Sequence, residues 1–504
     1  MRNAAQMPRH MPRYRFGPLE RRGLIGNLRP GQLVVLGGCV FATVLTVQIL
    51  RSGLGLAIGT FILAIGAAAT FVPFGGRVVH EWIPVVISFW SRVLTGRHRY
   101  RSAAAGAGTH FRQGDVSVPL PEAIGKVELL SFPFRGVELG VLADRKDGTY
   151  TAVIQARARS FALLDYEDKA QRLAAWAGVI AGLARDHSPI SRVQWLERTV
   201  PDDGNGLGRY LRESLDPTVP VEAPAMQSYL ALTTAAGPAT EQHELYVVLQ
   251  LSANKAARMI RQAGGKDTGA CTVLARELDT FARRLDAAEV EVLHALGPRR
   301  LGAAIRLAYD PNARASLNKL NTVDPTRHEG VSPRNAWPRY AETHWSYYRT
   351  NDVHHATYWI AEWPRLEVGP EFLAPLLVQT RVMRTVSVTM EPVSIVKAMR
   401  AVGFAKTADL SEEVMRERLG FIGTARRRNQ LEAVERRESE LTEGHADVRF
   451  SGYVTVTASS LDALQEACAE VEHAASLSRL ELQRCDGEQD VAFTFTLPLG
   501  RGLR

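Results

Sequence analysis

From Pro30 to Gly76 the chain carries one charge, Arg51, with twenty-one uncharged residues before it and twenty-five after it. A helix needs about 20 apolar residues to cross a bilayer core, so each run suffices and residues 30–76 are predicted to form a transmembrane hairpin. Residues 1–29 precede the first run, which reads as an anchor and not as a cleaved signal peptide. The next stretch changes period. Val78, Val79, Trp82, Val85, Val86, Phe89, Trp90 and Val93 recur at helical spacing among His80, Glu81, Ser88 and Arg92. That pattern predicts an amphipathic helix over 77–95, lying in the membrane interface or docked on the soluble part.

Beyond a small-residue linker at 96–118, short apolar-polar alternations predict strands, among them VELLSF, YTAVIQAR, HELYVVLQLS and MRTVSVTMEPV. An amphipathic helix is expected near Leu163–Arg185 and a long helical stretch from about Ser394 to Thr442. VRFSGYVTVTA, a helix and the strands LELQR and DVAFTFTLPLG are expected to close the chain as β-α-β-β. The expected fold is a membrane-anchored α+β protein: a two-helix hairpin, then cytosolic α/β sandwich regions at 119–330 and 331–504 with mixed or antiparallel sheets. No strict internal repeat is visible.

Charge refines this picture. The net charge is +8, yet residues 1–101 hold thirteen arginines against Glu20 and Glu81, so the remaining 403 residues sum to −3. The basicity flanks the hairpin; a nucleic-acid footprint would sit on the folded part, and nucleic acid is not expected as a direct ligand. Arg29, Arg51, Arg77, Trp82, Trp90 and Arg92 are the expected membrane-interface residues. Arginines outside both apolar runs place both termini in the cytoplasm of a multi-pass protein of the cell (inner) membrane. Eight lysines against fifty-three arginines mark a GC-rich genome and not a function. Four widely spaced cysteines suit a reducing compartment.

Catalytic chemistry is hard to place. GGKDTG at Gly264–Gly269 lacks the upstream glycine of a phosphate loop and puts Asp267 where a hydroxyl should hold Mg²⁺. His354 and His355 are adjacent, so a strand would point them apart. No catalytic, cofactor or metal residue is therefore assigned, no cofactor is expected, and the chain is read as non-enzymatic. Trp337–Arg365 holds four of the eight tryptophans. It reads chiefly as packing, with Trp345, Tyr348, Trp359 and Trp363 as a candidate partner surface. Arg426, Arg427 and Arg428, flanked by glutamates, are a solvated helix face or a docking site for an acidic partner.

YRFGPLERRGLIGNLRPGQL, the hairpin, VVHEWIPVVISFW, HATYWIAEWPR and the ending GHADVRFSGYVTVTASS to FTFTLPLG together resemble a largely uncharacterised actinobacterial family of two-helix membrane proteins. Its members lie near conjugation or type IV secretion-like genes. The hairpin also looks like the PrgI-type subunit, and the soluble part is similar in style to the N-terminal non-motor domain of type IV secretion ATPases. The resemblance implies a non-enzymatic scaffold on which a separate P-loop ATPase and other secretion subunits assemble, with homo-oligomers also admissible. A membrane subunit of a type VII-like secretion complex is the alternative, and an unrecognised membrane-bound enzyme a further one.

Overall fold

Both apolar runs fold as helices, α1 (Pro30–Leu50) and α2 (Gly53–Phe71). The computed structural model describes residues 16, 30–74, 76–102, 120–158, 161, 164–201, 214, 220, 222–236, 241–317, 330–418, 425–443 and 445–503. Arg51 and Ser52 make the turn, and the Ser52 hydroxyl accepts from the Gly55 N–H to start α2. The helices touch where residues are small. A Cβ on Gly66 would lie 2.4 Å from Cys39 Sγ, and Thr43 donates to Gly59 O at 3.1 Å. The second run ends earlier than its composition suggests, because Pro73 disfavours helix at the residue before it. A minimal hairpin, β1 (Pro73–Phe74) and β2 (Arg77–Val78), then leads into α3 (Val79–Leu94) and β3 (Arg99–Arg101).

The first α+β unit opens with the hairpin β4 (Val127–Phe134) and β5 (Val137–Asp144). It continues through β6 (Thr149–Ala158), α4 (Tyr166–Ala181), β7 (Ile190–Pro201), α5 (Pro224–Ala236) and β8 (Glu241–Ser252). It closes with α6 (Ala257–Gln262), α7 (Lys266–Ala287), β9 (Val290–Ala295) and α8 (Pro298–Tyr309). Its strands lie in the order β9-β6-β8-β7, the arrangement of a β-α-β-β-α-β ferredoxin-like unit.

The second unit repeats that plan. The hairpin β10 (Tyr340–Thr343) and β11 (Tyr348–Thr350) precedes β12 (Val353–Glu362), α9 (Ala374–Leu377) and β13 (Arg384–Val393). Then come α10 (Ile395–Arg418), α11 (Ala425–Thr442), β14 (Asp447–Ala458), α12 (Leu461–Leu477) and β15 (Glu481–Arg484), in the order β15-β12-β14-β13. The two second strands pair antiparallel, with Met390 opposite Val193 and Arg384 opposite Thr199. Among the described residues, thirteen strands thus form one sheet with a pseudo-two-fold between β7 and β13. The regions 119–330 and 331–504, read separately from sequence, share it.

One face carries α4, α7 and α12. Val193, Val247 and Leu249 pack on Leu274, Phe281 and Leu285 of α7; Tyr358, Val454 and Val456 pack on Leu464, Cys468 and Val471 of α12. On the other face Leu142 and Val153 meet Leu301 and Ile305 of α8. In the second unit that face is polar and buried: His355, Thr357, Ser387 and Thr455. The chain's end covers it, and here the expected last strand is corrected. Gln489–Phe493 is a short helix, α13, followed by a 3-10 turn at Thr494–Thr496 and a bent segment, Leu497–Gly500, that lies on the sheet. Side-chain amides, not a strand edge, receive this backbone. Gln194 Nε2 donates to Phe495 O and Leu497 O at 3.0 Å each, and Gly500 N–H donates to Gln194 Oε1 at 2.9 Å. Gln250 Nε2 donates to Leu499 O, also at 3.0 Å.

Candidate functional site

Helix α3 joins the hairpin to the sheet and has two apolar faces. Val85 and Phe89 are buried, while Ile83, Ile87, Trp90 and Leu94 form an outward stripe in which Leu94 is 84% exposed. The inward face docks on the β10–β11 turn and on the turn after β15. Phe89 meets Trp345 edge-on at 5.1 Å, and Trp82 stacks on the same indole at 5.9 Å. Gly487, at φ +75, lets the turn pass beneath them; a Cβ there would lie 2.7 Å from Val85.

Two arginines fix this junction. Arg92 Nη1 lies 2.6 Å from Asp490 Oδ2 while its Nη2 donates to Gly487 O at 2.9 Å. Arg77 reaches Glu488 at 3.2 Å, with its guanidinium 5.3 Å from the Trp82 ring. Arg77, Trp82 and Arg92, expected at a lipid interface, thus turn toward the sheet, because carboxylates there satisfy guanidinium groups that are themselves mostly buried. Trp90 stays exposed on the outward stripe, Arg51 is exposed in the hairpin turn, and Arg29 lies outside the described residues.

The aromatic stretch is largely consumed by packing. Tyr348 is buried, and desolvation raises its phenol pKa well above the usual range. Trp345 is covered by α3, and Trp359 Nε1 donates to Ser451 Oγ at 3.1 Å. Trp363 and Phe450 stand edge-on at 5.2 Å, and Phe16 from the basic arm lies 5.2 Å from Trp363 and 5.3 Å from Phe372. His355 is enclosed between Thr350 and Thr457 at 2.7 and 2.9 Å. Arg426–Arg428 fall in α11, with side chains outside the description.

Among the described residues no group of three or more His, Cys, Asp or Glu side chains is placed to hold a metal, and all four cysteines are free thiols. Asp267, in the glycine-flanked helix start, accepts from Arg145 at 2.6 Å and Tyr150 at 2.7 Å. The docking residues Gly487, Glu488 and Asp490 left no periodic signal in the sequence. They are recognisable only once α3 is seen against them. The arrangement can fix a two-helix apolar hairpin rigidly to a broad sheet.

Residues 239–360 match the family described as "Putative type VII ESX secretion system translocon, EccE". That range starts just before β8 and ends within β12, so it runs from one unit into the other. No curated protein matches the chain.

Proposed function

We propose that the chain is a membrane-anchored structural subunit of a type VII-like secretion complex. The observation that carries this reading is the family match over residues 239–360. Two further features support it: helices long and apolar enough to cross a membrane, and a docked α3 whose outward stripe is apolar. The type IV scaffold anticipated from the order of parts draws no support from that match, and the type VII alternative replaces it.

In this reading α1 and α2 span the cell membrane, both termini are cytoplasmic, and α3 lies between lipid and sheet with Trp90 and Leu94 toward the lipid. The subunit is non-enzymatic; catalysis belongs to a separate ATPase partner. Arg426–Arg428 and the edges of Trp359 and Trp363 are the proposed contacts for other subunits. Affinity purification of the tagged chain from native membranes tests this. Co-purification of ESX-type membrane components is expected; recovery of conjugation subunits in their place would return the account to type IV secretion.

A further inference from the structure

Where α3 hands the chain to the sheet, a cationic cleft of about 350 Å³ lies at β10 and β11, next to the edge strand β3. Arg306, Arg339 and Arg349 line it with Tyr340, Asn351, Asp310 and Asp352. The Tyr340 ring has the Arg101 guanidinium at 6.0 Å and that of Arg349 at 5.9 Å. The neighbouring charges are spoken for. Arg99 pairs with Glu342 at 2.7 Å, Arg97 with Glu122 at 2.9 Å, and Arg306 with Asp310 at 3.0 Å. Asn351 Nδ2 also donates to Asp310, at 3.3 Å. By contrast the buried Nε of Arg349 has no hydrogen-bond partner among the described residues, although such a group ordinarily finds one. With Arg101, four arginines face two aspartates here, an excess of two positive charges. After burial, Arg349, the strand partner of His354, is the next cause lowering the His354 pKa.

We propose that this cleft binds the phosphate of an anionic phospholipid headgroup, with Arg101, Arg349 and Arg339 as its cationic contacts. Position selects a lipid over other anions. Arg101 follows Leu94, the last and most exposed residue of the apolar stripe, by seven positions, and β3 lies at the sheet's edge. A tyrosine between guanidinium groups has the amphipathic character that headgroup depth favours. The assignment rests on the membrane-anchored reading.

The test is native mass spectrometry of the full-length chain in mild detergent, with phosphatidylglycerol, phosphatidylcholine or inorganic phosphate. Phosphatidylglycerol should be retained over phosphatidylcholine, and Arg101→Ala with Arg349→Ala should lower its retention about tenfold. The exposed Arg101→Ala alone, on a short edge strand, should give a smaller loss in the same direction. Equal retention of both lipids, or retention unchanged in the double variant, overturns the proposal. So does arginine-dependent retention of inorganic phosphate or an acidic peptide in preference to lipid. Alkaline extraction of native membranes separates the two levels: a chain that stays in the pellet keeps its anchor whatever the lipid result.

Discussion

Arg92 Nη1 and Asp490 Oδ2 lie 2.6 Å apart although 398 positions separate the two residues. Both side chains are largely enclosed. Removing one partner of such a pair leaves the other charge buried, at a cost of about 3–5 kcal/mol. Arg92→Ala should therefore lower the thermal midpoint and open the α3 junction to protease. Adding Asp490→Ala should restore part of the loss, a coupling that a double-mutant cycle reads directly. Additive losses would mean that the pair does not hold the junction.

Gln194 reaches four partners: its two amide hydrogens are shared among Ser387 Oγ, Phe495 O and Leu497 O, and its Oε1 accepts from the Gly500 N–H. Gln194→Ala should cost about 2–4 kcal/mol, since it strands several buried polar groups. Hydrogen exchange should show faster labelling at 494–501. Protection equal to the parent chain would place the fastening of this segment elsewhere.

His355 gives a pH prediction. Thr350 donates its hydroxyl proton to Tyr309 O, so it accepts from His355 Nε2–H, and Nδ1 accepts from Thr457. Burial, the main cause, holds the imidazole pKa down to about 3. The unfolded value is about 6.5, so the unfolded chain takes the proton first as pH falls. The contribution is whole above about pH 6.5 and is lost from there toward pH 3, at about 1.4 kcal/mol per pH unit. His355→Asn should flatten the fall in thermal midpoint between these limits. An unchanged acid slope would assign the effect to other groups.

Gly66 is a point of close approach between the hairpin helices. A side chain there meets Cys39 Sγ at 2.4 Å, so Gly66→Val should splay α1 from α2 and cost about 1–3 kcal/mol. Thermal melting in detergent measures it. Full tolerance would contradict the close packing.

Much of this fold was legible in residue patterns. Arg51 divides two apolar runs, and the helices begin and end on either side of it. Alternation in VSVTM and YVTVT marked β13 and β14 as strands. The same alternation also recorded a buried hydroxyl face, Ser387 and Thr455, whose purpose appears only when the chain's end lies on it. DVAFTFTLPLG looks like a strand by period, yet Asp490 is held by Arg92 and Phe495 O by Gln194 and Ser387, so tertiary partners set its shape. The duplicated unit stayed hidden because 202–240 and 394–446 enter at the same point of each unit with different lengths, and strand order leaves no trace in local sequence. For the site, Trp345 was visible as an unusual aromatic, but its partners Trp82 and Phe89 lie more than 250 positions away.

Crosslinking mass spectrometry on the tagged chain in native membranes tests the central claim most directly. The account predicts crosslinks from the soluble sheet to ESX-type membrane components and their ATPase, and none from residues after Arg77 to proteins outside the cell. Crosslinks to a conjugation ATPase and its partners would contradict it.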